Sequence, residues 1–210
     1  MAATASPYGF RAVNELGGLP YAGSTRSFLI NPSGYANNIF NGSLVYVGSD
    51  GYLQLVTATG ADATTNAFPT GSGGGAVLTG AIGVFVGCQY VNAQGQVIFS
   101  QYYPANTSGV VSAYVVDDDR AVFQVQAAGT ISQTELGNNV YLANAQSTST
   151  GSTTTGNSNI AVNATAVTAS AAFRIVGFVN STTSQVGDAY TDILVKFNPG
   201  YHSYSNAVGL

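Results

Sequence analysis

Apolar positions along this chain recur at every second residue over short runs, and Gly, Asn, Asp and Ser break the runs apart, which is the period of strands rather than helices. Residues 43–56, SLVYVGSDGYLQLV, hold two such runs joined by Gly48-Ser49-Asp50-Gly51. An Asp-Gly pair tolerates the positive φ of a tight turn, so the segment predicts a hairpin. Residues 81–103, AIGVFVGCQYVNAQGQVIFSQYY, predict a second. There Ile82, Val84, Val86, Cys88 and Tyr90 fall on one face, residues 92–95 turn, and residues 97–102 return. Gly83 and Gly87 interrupt the run and predict a bulge or a close backbone approach. Residues 109–129 give two β-branched runs about a turn at Asp117-Asp118-Asp119-Arg120. Residues 170–179 and 191–197 also alternate, with Ile193, Val195 and Phe197 on one side and Leu194 and Lys196 on the other. One helical turn is predicted, at SQTELG, where Ser132 and Glu135 stand three apart as in a capping box and Gly137 ends it. No long amphipathic helix is written anywhere in the chain.

Many short strands, Gly-rich turns and scarce helix signals predict an all-β fold: a sandwich or barrel, jelly-roll-like arrangements included, with an irregular N-terminal arm and little helix. Residues 1–40, which contain Pro7, Pro20 and Pro32, are expected to form that arm or strap outside the core. Residues 41–210 are expected to form a single β-rich domain, and removal of residues 1–13 is expected to leave it folded. The stretch 144–159, NAQSTSTGSTTTGNSN, is low in complexity and has no apolar face. Taken alone it reads as a mobile loop; in an assembly it reads as an ordered connection across a neighbour. A chain of 210 residues buries roughly 70% of its extended surface and needs no metal or disulfide for stability.

Composition changes this picture at the surface. Charged residues are 7% of the chain, against about 25% in an average soluble domain, and Ser, Thr, Asn, Gln and Gly stand where charges usually do. Desolvating a charge costs energy, so a neutral polar surface is cheaply buried against other subunits, which favours an assembly protein. The net charge is −4, and the five basic residues, Arg11, Arg26, Arg120, Arg174 and Lys196, stand singly. Nucleic-acid binding draws on clustered Lys and Arg, so no direct nucleic-acid partner is expected. The start, MAATASPYGFR, lacks a basic segment followed by an apolar run and does not read as a secretory signal. The most apolar window, residues 76–91, is shorter than the ~20 residues of a membrane helix and is broken by Gly80, Gly83 and Gly87. It reads as buried strand, and no membrane partner is expected. Four glycosylation sequons, at Asn41, Asn106, Asn163 and Asn180, read as products of an Asn/Ser/Thr-rich composition.

Candidate chemistry is sparse. Acid–base catalysis draws on a poised His or a pair of carboxylates with separated pKa values. The one histidine, His202, sits in NPGYHSYSN and is expected to be a solvated tail residue; Glu15 and Glu135, the two glutamates, have no acidic partner nearby in sequence. Asp117-Asp118-Asp119 lacks the alternating oxygen ligands of a calcium loop and is expected to cap turn amides, with Arg120 offsetting part of its charge. The stretch GSGGG at 71–75 lacks the Lys and Ser/Thr of a phosphate loop. Cys88, the single cysteine, is expected to be a small core hydrophobe, and no disulfide can form within the chain. No catalytic residue, cofactor or metal site is expected, and the chain does not read as an enzyme.

Three blocks carry a resemblance. SPYGFRAVNELGG (6–18), followed by STRSFLI and GYANNIFNGSLVYV, is the first; DDDRAVFQVQAAGTISQTELGNN (117–139) is the second; FRIVGFV (173–179) with VGDAYTDILVKFN (186–198) is the third. In this order they resemble a family of capsid decoration, or cement, proteins of tailed bacteriophages, which begin with Ser-Pro-Phe/Tyr-Gly-Phe/Leu-Arg. Ala12 and Arg120 depart from the family pattern, which has Pro at both places. The resemblance implies a non-enzymatic virion protein, made in the host bacterial cytoplasm and placed on the capsid exterior. Its implied partners are the major capsid protein, which it bridges against internal DNA pressure, and copies of itself in a homotrimer at three-fold or quasi-three-fold positions. Aromatic and Arg anchors carry much of the energy of an interface, which makes Pro7, Tyr8, Phe10, Arg11 and Arg26 the candidate partner contacts. Packing of Tyr8, Phe10 and Arg11 onto the domain's own sheet is the alternative. A tail or fibre component that recognises glycan is the alternative function, with the Tyr-rich composition suited to stacking on sugars.

Overall fold

The computed structural model describes residues 4–61 and 80–206, so GSGGG and the start of the 76–91 window lie outside the described residues. The strands are β1 (Arg11–Glu15), β2 (Arg26–Ile30), β3 (Ile39–Phe40), β4 (Leu44–Val47), β5 (Leu53–Leu55), β6 (Gly83–Val91) and β7 (Val97–Ser100). They continue with β8 (Tyr102–Tyr103), β9 (Val111–Val116), β10 (Ala121–Gln126), β11 (Asn139–Val140), β12 (Phe173–Phe178) and β13 (Asp192–Phe197). Short 3-10 turns at Gln133–Glu135 and Ser203–Ser205 are the helical content among the described residues. The first opens at the Ser132/Glu135 capping box that the sequence predicts.

The fold is an all-β sandwich. One antiparallel sheet runs β1-β10-β13-β12-β11; a second runs β2-β9-β6-β4-β5, with β7 also on β6; β3 and β8 form a two-stranded ribbon. Phe123, Val125, Phe173, Ile175, Val195 and Phe197 of the first sheet are buried against Leu44, Val84 and Val116 of the second, and this is the larger core. The opposite face of the second sheet supplies Phe85, Cys88, Val111, Ala113 and Val115 to a smaller core closed by Ile30, Ile39, Leu53 and Tyr103. Central strands β6 and β9 are thus apolar on both faces, which explains their β-branched runs. Among the described residues no helix is long and apolar enough to cross a membrane.

The alternation predicted for β6 is broken twice. Val84 and Val86 face the larger core, whereas Ile82, Cys88 and Tyr90 face the smaller one. The register against β9 slips between Phe85 and Gly87, which inserts Val86 as an extra residue and swaps the faces beyond it. At Gly83 a Cβ would overlap the Val116 carbonyl oxygen, so the close approach predicted there is real.

Residues 4–40 do not form the expected arm outside the core. β1 is the edge strand of the first sheet, on β10, and β2 is the edge of the second, on β9. Phe10, Ile30, Ile39 and Phe40 are all buried. Pro7 precedes β1, Pro20 lies between β1 and β2, and Pro32 follows β2, so all three stand outside the named strands. The low-complexity stretch 144–159 likewise packs on its own domain. The buried Gln146 side chain accepts from Leu44 N at 3.0 Å and donates to the carbonyls of Leu44 at 3.1 Å and Val56 at 2.8 Å. Further along, Asn157 bridges Asn41 and Ser158 bridges Gly151. A polar side chain replaces the missing apolar face, giving strand ends their partners.

Candidate partner-contact surface

The N-terminal segment is laid across the first sheet by side-chain clamps. Gln126 on β10 accepts from Ser6 N at 2.8 Å and donates to Thr4 O at 3.3 Å. Gly9 then turns with φ +76°, and a Cβ there would stand 2.7 Å from Gly42 O and 2.8 Å from Ser158 Cβ. That turn sends the next side chain inward. Phe10 is buried, its ring centroid 4.9 Å from that of Phe173 and 6.2 Å from that of Phe123. Phe10 is therefore a core residue of its own domain and not a surface contact.

Tyr8 is half-buried and Arg11 stays outside. The Arg11 guanidinium lies over the Tyr8 ring at 4.4 Å, and the Tyr8 hydroxyl donates to Asp192 Oδ1 on β13 at 3.0 Å. Burial pushes the Tyr8 hydroxyl well above its usual range, and the Asp192 charge adds to this. Burial also raises Asp192, against the opposing pull of the Tyr8 hydrogen bond and the Arg11 charge. Pro7 is half-buried beside them and lines a cavity of about 200 Å³ with Gln126, Ile160 and Tyr190. Arg11 is exposed.

Arg26 belongs to a separate cluster. Its Nε pairs with Asp117 Oδ2 at 2.9 Å, its Nη1 donates to the Tyr204 hydroxyl at 2.7 Å, and that hydroxyl donates to the same Asp117 oxygen at 2.9 Å. This network ties β2, the β9–β10 turn and the C-terminal 3-10 turn together. Asp118 Oδ1 accepts from Arg120 N at 2.8 Å, the turn-capping role predicted for the acidic run. His202 corrects the expectation of a solvated tail. It is fully buried, stacks edge-on to Phe197, and its Nδ1 accepts from Tyr204 N at 3.3 Å. Burial holds its pKa below the ordinary value, against the pull of Asp119, Asp117 and Asp118 and the Ile82 backbone. The residues 80–82 that pair with it lie far off in sequence, so local polarity gave no sign of this burial.

Cys88 is buried, and burial pushes its thiol up to about 12, so it is inert as a nucleophile at neutral pH. Among the described residues no group of three or more His, Cys, Asp or Glu could hold a metal ion. Sequence reasoning missed one surface. Leu29, Val91, Val97, Phe99 and Val110 are all exposed on one region of the second sheet, and Phe99 is 72% exposed. The signal was present in VIFS, where apolar residues occupy both parities of β7 and one set must face out. Comparison with protein-family models, with curated proteins and with solved structures finds no match for this chain.

Proposed function

We propose that this protein is a non-enzymatic structural component of a bacteriophage head. It binds the outer surface of the assembled capsid, alongside copies of itself, and bridges neighbouring major capsid proteins. One observation carries the reading: all five strands of the first sheet, β1, β10, β11, β12 and β13, begin within the blocks that resemble the decoration family. Stretches of all three blocks, far apart in sequence, thus meet in this one sheet, on which Tyr8, Arg11 and Asp192 lie, while the rest of the first block forms β2, β3 and β4. The neutral polar composition supports the same reading, because such a surface is cheaply desolvated against a large partner.

The test is addition of the purified protein to capsids that lack it, followed by image reconstruction. Density repeated at symmetry-equivalent positions on the outside of the shell is the expected result. Density confined to the tail would favour the fibre reading, and its loss on adding soluble polysaccharide would identify a glycan site. Arg11→Ala lowers capsid occupancy in the proposed arrangement without moving the melting temperature. Because charged contacts are few, occupancy changes little between low and moderate salt.

A further inference from the structure

The face of the second sheet that packs on the first sheet at Val84 and Val116 does not end there. Registered pairs carry it onward: Tyr114 with Gly87, Ser112 with Gln89, and Gln89 with Phe99. Leu29 opposite Ser112 and Val91 opposite Val97 complete it, and here no first-sheet residue covers it. Phe99, Val110, Val97, Val91 and Leu29 are 49% to 72% exposed along this stretch. The outer edge of β7 makes no backbone hydrogen bond among the described residues. Residues 97–100, VIFS, include no charge and no proline, the devices that keep exposed edges solitary.

We infer that the exposed apolar face centred on Phe99 is a self-association surface, where copies of this chain meet around a symmetry axis passing beside β7. Charge selects this occupant. A chain of net charge −4 repels its copies in general, yet residues 63–116 contain no Asp, Glu, Lys or Arg. Two copies of this face meet without like charges, while the acidic turn at 117–119 lies at the far end of β9. Size agrees as well. Five large side chains make an apolar patch of the few-hundred-Å² class, and the neutral rim of Gln89, Ser112 and Tyr114 extends it toward the roughly 800 Å² that each partner of a stable complex buries. A contact in which Phe99 meets its own copy closes on itself, giving an oligomer of fixed size rather than a fibre.

This deepens the proposed assembly role and is tested apart from it, on the isolated protein without capsids. Mass is measured by light scattering across a dilution series for the wild type and for Phe99→Asp. The wild type is expected to be an oligomer of fixed size, and Phe99→Asp to weaken association at least about tenfold, as for a central hot spot. Phe99 is exposed, so the variant's circular dichroism stays that of the wild type, and its melting temperature falls only by the stabilisation that association had added. Phe99→Cys is expected to form inter-chain disulfides under mild oxidation, because the axis brings residue 99 near its copy. A monomeric wild type overturns the inference, as does an oligomer that Phe99→Asp leaves intact. A monomer whose capsid occupancy falls on Phe99→Asp would assign the face to the capsid protein instead. An oligomer broken by Phe99→Asp that fails to bind capsids would leave the inference standing and refute the proposed function.

Discussion

Replacing Phe10 by Ala discriminates between an N-terminal segment that grips a neighbour and one that completes its own core. The ring is 1% exposed and lies between Phe173 and Phe123, in the cluster that joins the two sheets. Truncating a buried Phe costs about 3–5 kcal/mol, because the transfer energy is lost and the cavity collapses only in part. Collapse is hindered here, since Gly9 is wedged against Gly42 and Ser158 and β1 is fixed on β10. At about 2–4 °C per kcal/mol for a chain of this size, the melting temperature should fall by roughly 6–20 °C. The assay is thermal unfolding followed by circular dichroism, with Tyr8→Phe as the comparison. That variant loses one partly buried hydrogen bond to Asp192 and should cost only about 1 kcal/mol. A Phe10→Ala protein that melts within about 2 °C of the wild type while losing capsid occupancy would refute the reasoning. By the same logic, deletion of residues 1–13 removes Phe10 and part of β1 and is expected to unfold the domain rather than free it of an arm.

Gln146→Ala removes the donor or acceptor it supplies to buried Leu44 N and Val56 O, and one of the two donors to Leu44 O, and should cost on the order of 2–4 kcal/mol. Hydrogen exchange should then quicken across 144–159; unchanged protection there would show that Gln146 does not hold the stretch. Stability should also depend on pH through His202. Burial lowers its pKa in the folded chain from the ordinary 6.5, so on acidification the unfolded chain takes up the proton first. Stability is then full above about pH 7 and falls below pH 6.5 by at most about 1.4 kcal/mol per pH unit, until the folded His202 itself protonates. Asp192 has the opposite sign, since its raised folded pKa adds stability as pH falls toward 3.8. Melting curves between about pH 8 and pH 5 for the wild type and for His202→Asn, which keeps a capping acceptor, measure the His202 slope. An equal slope in both proteins would remove His202 as its source.

Strand identity was legible wherever burial falls on one face. β13 alternates because β10 and β12 flank it and only Ile193, Val195 and Phe197 face the core. β6 was misread because its alternation breaks at a bulge, and a bulge is visible only against the partner strand. His202 was misread, and what the stretch 144–159 packs on was not legible, for a related reason. The groups that bury them, residues 80–82 in one case and Leu44 and Val56 in the other, are distant in sequence, and composition reports only local polarity. Among the candidate contacts, the aromatic and basic character of Tyr8, Phe10 and Arg11 was plain. Their division into one core ring and one surface pair was not, because it depends on the backbone turn at Gly9.

The most direct test of the central claim is an image reconstruction of capsids lacking the protein, with and without the purified protein added back. The account predicts extra density on the outer surface, repeated at symmetry-equivalent positions where neighbouring major capsid proteins meet, with the Tyr8–Arg11 surface or its close surroundings against the shell. Capsids that gain no density on their outer face, or gain it only at the tail, would contradict it.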